Sequence, residues 1–209
     1  MKTSLFLMSI VVAFTLATPI TSCTSTSSDE VEELQEREVH ESRQEEQLLE
    51  ALNNTLQSES DALYKINYGV YRTRGTMPTE ENLSEEQKQQ VRTSLHSIAT
   101  ATKQVLAHYG VTDQELVEIF GDSNDERIAL AGIAFADFHV SRATRSLEWD
   151  DYADCAMRAL GFNIFSSMRG AITKKLAIQM LKQVAKKVVG PVGVGITVAE
   201  FGWCLYRNS

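Results

Sequence analysis

The chain reads as an all-α protein, with a helical acidic N-terminal region followed by a disulfide-clamped C-terminal helical hairpin. Three observations predict this. Apolar residues recur at helical spacing through nearly every segment. Three hydroxyl residues each stand three positions before a Glu or Gln, the arrangement that satisfies the first unpaired amides of a helix. No strand-like alternation is sustained, and no internal repeat recurs at a fixed period. With 209 residues, 43% of them hydrophobic and only 3 Pro and 11 Gly, the chain is long enough for one modest domain or two small ones with a real core.

The first segment is read as a targeting element. Residues 1–23 show Lys2, an apolar run from Leu5 to Ala17, and small residues before a cysteine. The run is shorter than the roughly 20 residues a spanning helix needs, so it reads as an export signal, outside the fold. Its end, Ile20-Thr21-Ser22-Cys23, resembles the bacterial lipobox, which implies a signal peptide over 1–22 and lipidation of Cys23. The tether Thr24 to Ser28 and the acidic stretch Asp29-Glu30-Val31-Glu32-Glu33 look like the segment after the lipid cysteine in surface-exposed lipoproteins of Bacteroidota. A merely solvated linker reads the same. Setting Cys23 aside leaves Cys155 and Cys204 in an exported chain, where a bridge is the default and two buried free thiols the alternative. A bridge would close a loop of about 50 residues, worth about 4 kcal/mol in the chain-entropy account.

Residues 31–60 carry a sparse apolar stripe, Val31, Leu34, Val39, Leu48, Leu49, Leu52 and Leu56, among many Glu and Gln. This fits a long surface helix or a coiled-coil strand; the composition also permits disorder near a lipid anchor. Tyr68 to Pro78, with Gly69, Gly75 and Pro78, is expected to break the helix as a loop. Helices should then open at Ser84, Thr112 and Ser123, with Gln87, Glu115 and Glu126 as the third residue of each cap. Gly110 and Gly121 should close the first two. The third should run from about Asp125 to Ser146, with Ile128, Ala131, Phe135, Phe138 and Ala143 along one face.

The tail from Asp150 holds the strongest pattern. Ile172, Leu176, Met180, Val184 and Val188 recur every fourth residue, with Lys174, Lys175, Lys182, Lys186 and Lys187 between them. That is a cationic amphipathic helix of the kind that lies at a membrane interface. Gly190-Pro191 marks a turn. A nearly uncharged limb follows, with Gly195, Ala199 and Gly202 offering a close-packing face and Trp203 and Tyr206 suited to an interface. A buried helix pair in a soluble domain shows the same stripes, and Glu200 in mid-limb favours that alternative, because an unpaired carboxylate in lipid is costly.

Charge is divided as sharply as hydropathy. Residues 24–154 hold 11 Lys and Arg against 27 Asp and Glu, while residues 155–209 hold 8 against 1. The net charge of -8 argues against nucleic acid as a main partner. An acidic body before a basic, apolar tail fits a shield and its cargo, or simply two halves that pair in one domain. Catalytic patterns are missing: His40, His96, His108 and His139 have no metal-protease spacing, and no nucleophile elbow, phosphate loop or C-x-x-C occurs. Glu148, Asp150, Asp151 and Asp154 lack the glycine and spacing of a calcium loop. The expectation is therefore a protein that is not an enzyme and needs no cofactor or metal.

The layout Cys155-Ala156-Met157-Arg158-Ala159-Leu160-Gly161, then the lysine-rich helix, then Gly190-Pro191-Val192-Gly193 and Glu200-Phe201-Gly202-Trp203-Cys204-Leu205, resembles the C-terminal part of bacteriocin-like lipoprotein toxin precursors of Bacteroidales. The resemblance covers about the last 60 residues and the lipobox. It implies an exported outer-membrane or cell-surface lipoprotein whose C-terminal fragment is secreted after an Arg-specific protease cuts it, and which damages the envelope of related bacteria. It implies four segments: signal peptide 1–22, lipid-anchored acidic tether or helix 23–60, acidic helical shield 61–145, and cationic, apolar toxin-like segment 146–209. Arg145 and Arg142 lie where the third helix should end, and Arg72 and Arg74 in the Gly/Pro loop are a second site. Lys174, Lys175, Lys182, Lys186, Lys187 and Trp203 would meet the anionic membrane or lipopolysaccharide of the target cell, with room for oligomerisation there. The alternative function is an intact cell-surface lipoprotein acting as an adhesion or interaction module.

Overall fold

A computed structural model describes residues 28–74, 79–143, 148–161, 172–187 and 189–208. Among them are seven α-helices and no strand: α1 (Ser28–Arg74), α2 (Glu85–His108), α3 (Asp113–Phe120), α4 (Ile128–Ala143), α5 (Glu148–Leu160), α6 (Lys174–Ala185) and α7 (Pro191–Asn208). The all-helical expectation holds. The chain divides into two compact units, Met1–Glu38 and Val39–Ser209. In the first, the described residues are helical. The second holds the hydrophobic core.

Within that second unit α1 lays down a seam. Leu49, Leu56, Leu63 and Val70 fall on every seventh residue and, with Leu52, are at most 3% exposed, the repeat that keeps one stripe against neighbouring helices. This seam corrects the expected break at Tyr68. Gly69 sits inside the helix, which runs on to Arg74, because burying Val70 and stacking Tyr68 on Tyr64 outweigh the cost of about 1 kcal/mol for one helical glycine. The boundary expected between residues 60 and 61 consequently falls in mid-helix.

Two of the three caps form as the spacing predicts. Ser84 with Gln87 opens α2, and Thr112 with Glu115 opens α3, each a reciprocal pair of side-chain and backbone bonds. Gly110 and Gly121 take positive φ of 79° and 88° at the ends of these helices, where a side chain would be strained. The third cap is different. Asp122 and Asp125 capture the amides of Asn124 and Arg127 at 2.9 Å, and α4 starts only at Ile128. Each carboxylate accepts from the amide two residues ahead, a local turn of the kind short acidic side chains favour over helix.

Helix α4 is the centre of the bundle. Every residue from Ile128 to Ala136 except Gly132 is a core residue with no exposure, so this stretch of the helix is buried all round rather than along one face; the side chains of Phe138 and Ala143 lie outside the description. It packs on α2, α5, α6 and α7. Gly132 permits the close approach to α2: a methyl group there would meet Thr102 Oγ1 at 2.5 Å. α5 and α7 are the other heavily packed pair, joined by the Cys155–Cys204 disulfide with Cα atoms 5.5 Å apart. The expected covalent clamp is thus present. The limbs it encloses lean on the body: α6 lies against α3 and α4, and α7 against α2, α4 and α5.

Candidate functional site

The tail is the part of the chain with a functional signature, and its placement is decided by α6. Thr173 caps the helix by accepting a bond from Leu176 N, and Ala177, Met180, Leu181 and Val184 point into the core with at most 2% exposure. Of the stripe read as membrane-seeking, Ile172, Met180 and Val184 are buried and Leu176 partly so, while Val188 lies outside the described residues. Lys175, Lys182 and Lys186 stand exposed on the opposite face, giving a cationic ridge over a buried apolar side.

The remaining two lysines are tied down. Lys174 Nζ lies 2.9 Å from Glu115 Oε1 on α3. Thr112 donates to the same carboxylate from its backbone N (2.8 Å) and its hydroxyl (3.0 Å). The Thr112 backbone bond and the Lys174 contact hold the Glu115 carboxyl below its ordinary pKa. Lys187 is half-buried and donates to the Ala159 carbonyl at 3.0 Å. Burial lowers its pKa, opposed by the Glu200 carboxylate. Lys187 thus belongs to the packing between α5 and the α6–α7 turn more than to the exposed ridge.

A group the sequence did not single out closes the far end of α6. Arg127 Nη1 donates to the Ala185 carbonyl at 2.9 Å, Nη2 to the Phe120 carbonyl at 3.3 Å, and Nε and Nη2 to Asp125 at 2.8 and 2.7 Å. The guanidinium also sits over the Phe120 ring. One planar fork thereby serves terminal carbonyls of two helices. Burial pulls the Asp125 carboxyl upward, but the side-chain and backbone bonds from Arg127 outweigh it and hold the carboxyl below its ordinary pKa. Arg127 is 58 residues from Ala185 in the chain, so no spacing rule could have found the contact.

Trp203 is only partly free to meet a membrane. It stacks on Tyr64 of α1 at 4.5 Å and on Tyr206 at 5.6 Å, and Tyr64 stacks in turn on Tyr68 at 5.7 Å. The four rings tie α7 to α1 and leave Tyr206 the most exposed of them, at 73%. Below this ladder a cleft of about 630 Å³ runs between the two helices, lined by Asn53, Gln57, Asp61, Lys65, Phe201 and Tyr206 among others. Gly195 and Gly202 are the close-packing positions the sequence indicated: side chains there would collide with Val91 and Ser60.

Of the proposed cleavage residues, Arg72 is exposed near the end of α1, which closes at Arg74. Arg142 lies in the last turn of α4. The side chains of Arg74 and Arg142 lie outside the description, and Arg145 and Cys23 lie outside the described residues altogether. Asp154, from the acidic cluster, pairs with Arg158 at 3.8 Å on the surface; the side chains of Glu148, Asp150 and Asp151 lie outside the description. Among the described residues no group of His, Cys, Asp and Glu could hold a metal ion, and no helix is long and apolar enough to cross a membrane. No protein-family model, no curated protein and no solved structure matches the chain.

Proposed function

We propose that the chain is a latent antibacterial toxin precursor, exported and held at the outer membrane through a lipid on Cys23, whose C-terminal segment is freed by cleavage after Arg145 or Arg142. The observation that carries this reading is the burial of the α6 apolar stripe against an acidic body. A cationic helix with Ala177, Met180, Leu181 and Val184 hidden is inactive towards lipid for a physical reason, since interfacial binding needs the apolar face and the charge together. Separation from α3 and α4 would expose both at once. Residues 146–209 would leave as a fragment of net charge +3 that holds both cysteines, with α5 and α7 still joined.

On the target envelope the exposed Lys175, Lys182 and Lys186, joined by Lys174 once Glu115 is gone, would draw the fragment to anionic lipid or lipopolysaccharide. Each basic residue near such a surface contributes about 1 kcal/mol. In this reading the damage comes from helices lying in the interface or associating there, where a cationic amphipathic helix binds. Neither a cofactor nor a catalytic residue enters this reading.

The test is to express residues 24–209, treat them with an Arg-specific protease without reductant, and measure fragment masses and dye leakage from anionic vesicles. A fragment near 64 residues that permeabilises vesicles when the uncut chain does not would support the proposal. Resistance to cutting, or fragments as silent as the parent, would sink it. A second reading, an intact surface interaction module, is favoured by the common core that residues 39–209 share; it requires that the uncut chain be the working form.

A further inference from the structure

We propose that α3 together with the turn that leads from it into α4, residues 112–128, is a clasp that grips α6 at both ends, so that cutting the chain and freeing its tail are two separate events. The inference rests on the precursor reading above. α6 is 12 residues long, about 18 Å at 1.5 Å per residue. At its first residue Lys174 meets Glu115, and at its last the Ala185 carbonyl meets Arg127. Glu115 comes from the first turn of α3 and Arg127 from the turn that follows that helix.

Each gripping group is preset by its own neighbours. Thr112 holds the Glu115 carboxylate through two bonds, and Asp125 holds the Arg127 guanidinium through two more. A preset charged group loses little freedom when it binds, which is the condition under which such contacts stabilise most. Removing Arg127 would leave the Ala185 carbonyl, one of the unpaired C-terminal oxygens of α6, without this donor in a partly buried position.

The clasp is divided across the proposed cut. Thr112, Glu115, Phe120, Asp125 and Arg127 all precede residue 142 and stay with the body. The Cys155–Cys204 bond and the Lys187 bond to Ala159 lie wholly within residues 146–209 and travel with the tail. Severing the backbone near residue 145 therefore breaks none of the contacts that hold α6. The packing of α5 on α4 and of α7 on α2 and α4 also crosses the cut, so the clasp residues should add to how tightly the tail is held without altering what the departed tail does.

The experiment uses the full chain from residue 24 and its Glu115→Gln, Arg127→Gln and double variants. Hydrogen exchange on the uncut proteins should show α6 amides opening up to about fivefold faster when the exposed Glu115 pair is lost and about tenfold faster when the part-buried Arg127 bonds are lost, while α2 amides keep their protection. After nicking without reductant, the pieces of the double variant should dissociate at a higher total concentration than the wild-type pieces, with equal vesicle leakage from both purified tails. A Lys174→Gln variant should open α6 as much as Glu115→Gln does, and combining the two should add nothing further. The proposal is overturned if α6 and α2 lose protection in parallel, or if the nicked wild-type chain separates as readily as the variant. Failure of the protease to cut would count against the precursor reading, and the exchange pattern would still decide the clasp.

Discussion

Removing the Cys155–Cys204 bridge should weaken the intact chain and unfold the isolated tail. The bond joins residues 49 apart, and closing a loop of that length in the unfolded chain is worth about 4 kcal/mol. Cys155 is fully buried, so alanine is the replacement to use at both positions. For a protein of this size each kcal/mol moves the melting temperature by about 2–4 °C, which gives a fall of about 8–16 °C for the double variant. The intact chain should still fold, because α7 keeps its packing on α2 and α4. Residues 146–209 alone have lost those neighbours, and a core of that size rarely stands without a staple. Reduction should therefore erase most of the fragment's helical circular dichroism at 25 °C. A fall of under about 3 °C in the intact chain, or a reduced fragment as helical as the oxidised one, would refute the reasoning.

Three further outcomes follow from particular contacts. Gly132→Ala gains about 1 kcal/mol in helix propensity but forces a methyl to 2.5 Å from Thr102 Oγ1, an overlap costing about 1–3 kcal/mol; urea unfolding should show net destabilisation, recovered when Thr102→Ala is added. Leu181→Ala, at a fully buried site, should cost about 2–5 kcal/mol, whereas Lys182→Gln beside it should stay within about 0.5 kcal/mol; equal effects would mean that α6 is not docked as described. The Glu115 and Asp125 carboxyls both have lowered pKa values, so their contributions are complete above the ordinary carboxylate range and disappear as pH falls through the lowered values. Denaturant midpoints should be insensitive to these two groups from about pH 8 to 5 and decline below about pH 4, and Asp125→Asn should flatten part of that decline.

Much of the fold was legible because its signals are local. The caps at Ser84 and Thr112 and the glycines at 110 and 121 act on their own turns, and the four-residue repeat from Ile172 defines α6 without help from elsewhere. Where the sequence misled, a contact distant in the chain or a local turn prevailed. Val70 and the Tyr64–Tyr68 stack carried α1 past Gly69, and α4 starts at Ile128, after a turn in which Asp125 accepts from the Arg127 amide.

The amino-acid sequence by itself determined that the chain is helical, that its acid and base are segregated, and that Cys155 and Cys204 are the pair to join, since periodicity, charge and cysteine count are properties of the linear chain. Only the tertiary structure decided which way the amphipathic tail faces. A stripe of Ala177, Met180, Leu181 and Val184 suits lipid or protein equally, because burial is non-directional and takes whatever apolar surface is offered. Here α4 offers that surface, and Glu115 and Arg127, brought from elsewhere in the chain, meet the two ends of α6.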